Sequence, residues 1–189
     1  LKNELIFYGG FILRHIYQWE KAEAEKFSKI YKLMTEAFPP SEIRNEEGQR
    51  NLLGRSAYQL YTVKQESEIH GLLAVWEFDT FVFIEHFAVD ASLRGNGIGG
   101  MLLNDFLNNT EKTVFLEVEE PGTDLARRRI GFYERAGFCL NDFDYIQPDL
   151  QQGQSSLLLK NMTYPKKSSK EDFERMKQQI FETVYEIQA

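Results

Sequence analysis

Apolar and polar positions switch between two periods along the chain, and the switches outline its elements. Residues 11–17 (FILRHIY) read as a first strand, with His15 structural or exposed. Residues 20–38 are charged, and Phe27, Ile30, Tyr31, Met34 and Phe38 recur at helical spacing as one core-facing stripe. Pro39-Pro40 ends that helix, and in the polar stretch 41–53 Ser41 is the expected cap of a second, short one. Residues 56–64 and 68–78 are strand-like and joined by a short polar turn, hence a hairpin. Asp79-Thr80 turns the chain into an apolar strand at 83–89. After a polar connection at 90–94, Ile98, Met101, Leu102 and Phe106 return to helical spacing. Residues 113–118 read as the parallel partner of 83–89, and Glu119-Glu120-Pro121-Gly122 ends them. Thr123 or Asp124 caps a helix at 125–136, which Gly137 closes in a left-handed conformation. Residues 138–146 and 155–163 form a last hairpin around a long loop near 148–154. Ser168-x-x-Glu171 is a capping box, opening a helix with Phe173, Met176, Ile180, Val184 and Ile187 on one stripe.

The stretch that organises the rest is 83–106. Its glycines, in Gly95-Asn96-Gly97-Ile98-Gly99-Gly100, sit where the exit of a strand becomes the first turn of a helix. The first amides of a helix lack intrahelical acceptors and carry partial positive charge. Glycines let that backbone approach a ligand closely, and Arg94 just before them adds a forked cationic donor. The feature reads as a cradle for a pyrophosphate or similar polyanion. Two frames compete. Gly95-x-Gly97-x-x-Gly100, with Glu117 downstream, fits a dinucleotide fingerprint and a nicotinamide-dependent oxidoreductase. That frame wants its glycines directly after the strand and strand–helix alternation from the start, whereas here strands follow one another in series before the cradle.

The other frame is Arg94-x-x-Gly97-x-Gly99. With IEHFAVD before it and GFYERAGF at 131–138, it resembles the acyl-CoA cradle of the GCN5-related N-acetyltransferases (GNAT). The AFPPSE text at 37–42 also resembles the family's link between its first two helices, which borders the acceptor site. The resemblance implies an α/β (α+β) fold: a mixed, mainly antiparallel central sheet flanked by helices, with one parallel strand–helix–strand crossover and a splayed acyl-CoA cleft. Backbone groups of Phe87, Ala88 and Val89 would pair with the pantetheine arm, and Arg94, Gly95, Asn96, Gly97, Ile98, Gly99 and Gly100 would hold the pyrophosphate. Tyr133 matches the tyrosine that protonates the departing thiolate. Glu85 stands at the family's frequent position for the base; strand alternation places it on one face with Phe87 and Val89, and partial burial would raise its carboxyl. Glu117 and Glu119 are rivals for that role, and His86 falls on the opposite face. One departure concerns Ala126, where many members carry a cofactor-contacting asparagine; backbone or residues 127–129 would have to replace it.

The implied reaction is acetyl transfer from acetyl-CoA to a primary amine by direct transfer in a ternary complex, without a metal. Amino acid, polyamine, aminoglycoside, peptide terminus and lysine remain open as acceptors. A non-catalytic acyl-CoA sensor of the same fold is the alternative, against which Glu85 and Tyr133 argue. Composition adds bounds. The chain's 189 residues suit one domain at 1–164 with a C-terminal helix at 165–189 packing on it; a homodimer contact through that helix is the second reading. A net charge of −7 argues against a nucleic-acid partner and leaves a cationic substrate open. A single cysteine, Cys139, excludes an internal disulfide and fits a reducing cytoplasm. No apolar run reaches membrane length.

Overall fold

The computed structural model describes residues 17, 19–65, 68–150 and 156–187. The strand expected at 11–17 therefore lies outside the described residues except for Tyr17, and His15 with it. Strand β1, Trp19–Lys21, occupies the start of the segment expected to be helical. Helix α1, Phe27–Ala37, follows a short 3-10 turn and buries Phe27, Ile30, Leu33 and Met34. The early charged residues lack apolar partners at helical spacing, so sheet pairing takes Trp19–Lys21, in register with Tyr61 to Val63. Pro40–Glu42 forms a 3-10 turn, and helix α2, Glu46–Asn51, is capped by Asn45, whose side chain accepts from the Gly48 amide. Ser41 is not that cap: the rigid Pro39-Pro40 pair delays the helix.

Strands β2 (Tyr58–Gln65), β3 (Glu68–Glu77) and β4 (Phe81–Val89) make an antiparallel meander. Helix α3, Ile98–Asn108, then crosses over to β5, Thr113–Glu119, which pairs with β4 in parallel. Helix α4, Asp124–Arg135, begins on the Thr123 hydroxyl, and Gly137 follows it with φ +93°. Strands β6 (Cys139–Gln147) and β7 (Leu157–Tyr164) complete a seven-stranded sheet of order β1-β2-β3-β4-β5-β7-β6. Helix α5, Lys170–Thr183, is capped by Ser169, one residue later than the expected capping box.

The sheet separates two apolar layers. On one face α1 and α5 pack against Trp76, Phe81, Phe83, Phe115 and Tyr145. On the other, α3 and α4 cover Val82, Ile84, Leu116 and Val118. Phe173, Met176, Ile180 and Val184 of the C-terminal stripe are buried in the first layer, each worth roughly 1.5–3 kcal/mol before entropy. Ile187 is not part of that buried stripe; it is 41% exposed, because the helix has already ended. Among the described residues no helix is long and apolar enough to cross a membrane.

Candidate active site

The β4–β5 ladder runs only from Phe81–Thr113 to Ile84–Leu116, although β4 continues to Val89 and β5 to Glu119. The two strands part beyond that pair. Residues 86–89 stay bonded to β3 on their other side, and 117–119 to β7. The edge of β4 that faces the gap therefore lacks its strand neighbour, as the proposed pairing with an amide-bearing arm at Phe87, Ala88 and Val89 requires.

At the end of β4 the chain turns through residues 94–97, all exposed, into α3. Gly95 and Gly97 hold φ of +84° and +76°, a region that side chains with a Cβ avoid. Gly97 is the N-cap of α3, and no side chain caps it, so the first-turn amides stay available. A Cβ at Gly95, Gly97 or Gly100 would meet nothing within 4 Å, so the surface above the helix start is open. The Arg94 Nε donates to the Val89 carbonyl at 3.0 Å, tying the guanidinium to the strand end beside those amides. The residues present thus fit a pyrophosphate. Ala126 is buried and its amide is held by Thr123, which leaves no side-chain donor at that position. Of the neighbouring arginines, Arg127 bonds Pro121 and Asp124, and Arg129 bonds Glu119.

The alternation expected along 85–89 does not hold. Ala74 pairs with His86 and Val75 with Ile84, so Glu85 is an extra, unopposed residue in a β-bulge. Phe87 and Val89 face α3 and α4: Phe87 stacks on Phe132 at 6.1 Å, and Val89 packs with Ile98 and Leu102. Glu85 lies on the other face, and the bulge turns His86 to that same side instead of the opposite one. His86 Nε2 donates to the Glu42 carbonyl at 2.8 Å, and its ring stands edge-on to Phe38.

Glu85 and Glu117 occupy matched positions, each one residue beyond the last ladder pair. Both line a cavity of about 50 Å³ with Glu42, His86, Glu119 and Arg129. That volume holds a few waters or the head of an amine and not a whole acceptor. The Glu85 side chain is only 4% exposed; Oε1 accepts from Arg44 Nη1 at 2.5 Å and Oε2 from the Trp76 indole at 3.0 Å. Burial pushes its carboxyl up, but the Arg44 guanidinium and these hydrogen bonds outweigh burial and hold it below the usual range. The raised carboxyl expected at Glu85 is therefore not found there. Glu117 has it instead. Burial pushes Glu117 up to about 7, against hydrogen bonds from the hydroxyls of Tyr145 and Tyr185 and with some help from nearby Glu85 and Glu42. Burial likewise raises Glu42, and it lowers His86.

Tyr133 is buried on the α4 face of the sheet, edge-on to Phe132 and Phe138, and its hydroxyl has no hydrogen-bond partner among the described residues. Burial pushes its phenol up to about 12, with Arg129 opposing. Cys139, half-buried at the start of β6, is not among the cavity's lining residues. Among the described residues no group of three or more His, Cys, Asp or Glu side chains is placed to hold a metal ion. A larger groove, about 970 Å³, runs along α3 beside Trp19, Tyr61 and Met101 and shares no residue with the fork. Sequence reasoning missed Arg44, Tyr145 and Tyr185, because none belongs to a motif and each reaches the fork from a different element.

Known proteins resemble the chain in sequence and fold. Residues 15–138 match the model of the Acetyltransferase (GNAT) family. A Bacillus subtilis (strain 168) protein named "Putative acetyltransferase YjbC" is 29% identical over 159 residues, spanning 82% of this chain and 80% of its own. A solved structure of a "Putative acetyltransferase from GNAT family" of Bacteroides thetaiotaomicron superposes with a TM-score of 0.83 at 28% identity, covering 90% of this chain and 99% of that one. A GNAT acetyltransferase of Elizabethkingia anophelis, solved with acetyl-CoA bound, shares the fold with a TM-score of 0.58 at 20% identity over 78% of this chain and 97% of its own. The family model spans well over half of the sequence, and the chain belongs to the acetyltransferase (GNAT) family.

Proposed function

We propose that the protein transfers the acetyl group of acetyl-CoA directly to a primary amine whose head enters the fork cavity. The observation that carries this reading is the pair of glutamates at matched positions in the fork cavity; burial pushes one of them, Glu117, up to about 7. An ammonium must lose a proton before its nitrogen can attack, and a carboxyl titrating near the working pH is suited to take it. Glu117 thus replaces Glu85 as the proton acceptor, directly or through a water. Glu85 stays ionised on Arg44 and draws the cationic amine toward the fork. Residues 94–100 and the free edge of β4 hold the co-substrate, which supplies the acetyl group on its thioester. The amine nitrogen bonds to the acetyl carbon and gives up its second proton to solvent, the carbon–sulfur bond breaks, and the thiolate takes a proton. The Tyr133 hydroxyl, which has no hydrogen-bond partner among the described residues, is the proposed donor.

The test is thiol release from acetyl-CoA over a panel of primary amines, with product masses and the intact mass of the protein. Release that depends on an amine, with no acetyl group retained on the protein when the amine is left out, is the expected result. Tyr133→Phe should lower turnover more than it weakens acetyl-CoA binding. Tight acetyl-CoA binding without release on any amine would make the protein a sensor, and an acetylated protein would contradict direct transfer.

A further inference from the structure

Glu117 is held from outside the family-matched stretch. Tyr145, on β6, and Tyr185, just after α5, both donate to its carboxylate, and both lie beyond residue 138, where the family match ends. Tyr185 Oη stands 2.9 Å from Oε1 and 3.0 Å from Oε2, so one hydrogen is shared between the two oxygens. Gln147 Nε2 donates to the same hydroxyl at 3.1 Å, which occupies its acceptor side and turns its hydrogen toward Glu117. Oε1 takes both tyrosines, while Oε2 takes only the shared contact.

The backbone carrying Tyr185 is itself fastened to the site. Arg44, whose Nη1 holds Glu85, donates from Nη2 to the Val184 carbonyl at 2.9 Å. The turn continues with Glu186 in a left-handed conformation, φ +56°, paired to Arg55, and the Ile187 amide bonds back to Phe181 at 3.0 Å. One guanidinium therefore joins the ionised glutamate of β4 to the turn that carries a donor for the glutamate of β5.

From this we infer that Tyr185 is a positioning residue for Glu117, and that the turn after α5 is a working part of the active site. The inference rests on the reading of Glu117 as proton acceptor. Tyr185 aims the carboxylate, with Oε2 left to take a proton from the cavity, and stabilises its charged form. Tyr145 does the same from the sheet side. The charged or titratable groups around Glu117 are Glu85 and His86 on β4, Glu42 on the 3-10 turn, Glu119 on its own strand, Arg44 and Arg129, and the two tyrosines. Of these, the two tyrosines hydrogen-bond to it.

The experiment is the pH dependence of kcat/KM for the full chain and for Tyr185→Phe, Tyr145→Phe and Glu117→Gln, with acetyl-CoA affinity and Tm measured alongside. Losing a donor to the carboxylate disfavours its charged form, so the acidic limb of Tyr185→Phe should move upward by about one pH unit. Its rate should recover above the shifted limb. Tyr145→Phe, which keeps its ring among Phe115, Phe173 and Phe181, should move the limb the same way and provides the test if Tyr185→Phe does not fold. Rates lowered equally at every pH with the limb in place would mean a packing role only and overturn the inference. A limb that survives in Glu117→Gln would overturn the prior reading of Glu117, whatever the tyrosine variants do.

Discussion

Strands β4 and β5 leave the fork with the same side chain at the same step, and the protein treats the two oppositely. On β4, Glu85 is inserted by a bulge into the reach of a guanidinium and an indole, which hold it charged. On β5, Glu117 alternates regularly with Phe115 and meets neutral hydroxyls, so burial prevails and its carboxyl rises to about 7. Burial desolvates both, and the decisive difference is the charge of the nearest donor. A cation at hydrogen-bond distance outweighs desolvation; phenols only moderate it. The same contrast separates roles: a permanently charged carboxylate attracts a cation, and only one that changes protonation can accept its proton.

If that division is right, the largest effect belongs to Glu117→Gln. Its turnover should fall by roughly 10²–10⁴-fold, the range for a single acid–base group, and the acidic limb near pH 7 should disappear. Steady-state rates from pH 5.5 to 9 check both parts. Turnover that stays close to the unmodified protein would return the role to Glu85 or Glu119.

Glu85→Gln comes next and should show in stability before chemistry. It leaves Arg44 buried without its partner, which typically costs about 3–5 kcal/mol. The sign with pH follows from the lowered carboxyl. Its folded pKa lies below the unfolded value, so its contribution is present above the unfolded pKa and is lost as pH falls through the folded one. The gap between the native protein and Glu85→Gln in urea unfolding should therefore be widest near neutral pH and narrow in acid. A gap independent of pH would mean that Glu85 acts by packing alone.

The contrast also marks what could be read from residues in order. The glycine turn into α3 was legible because it is local: Arg94, Gly95 and Gly97 are near neighbours, and their spacing carries the geometry. The meander and crossover were legible from apolar periods and short links. The bulge was not, since nothing in the residues 83–89 themselves marks Glu85 as the unopposed one; it exists only in the register of β4 against β3. That one residue moved Glu85 off the face of Phe87 and Val89 and onto the side where His86 was expected. Glu117 was named as a rival, but its environment comes from Tyr145 and Tyr185, 28 and 68 positions away, and only folding brings them together. Near the termini of elements, Asn45 and Ser169 outcompeted Ser41 and Ser168 as caps through small shifts of helix start.

The most direct measurement is a titration of the glutamate side-chain carboxyls by carbon-13 NMR, with Glu85→Gln and Glu117→Gln used to assign the two signals. The account predicts that the Glu117 carboxyl titrates near pH 7 while Glu85 remains ionised to below the ordinary glutamate range. Both signals titrating together at an ordinary carboxylate pKa, or Glu85 as the raised one, would contradict it.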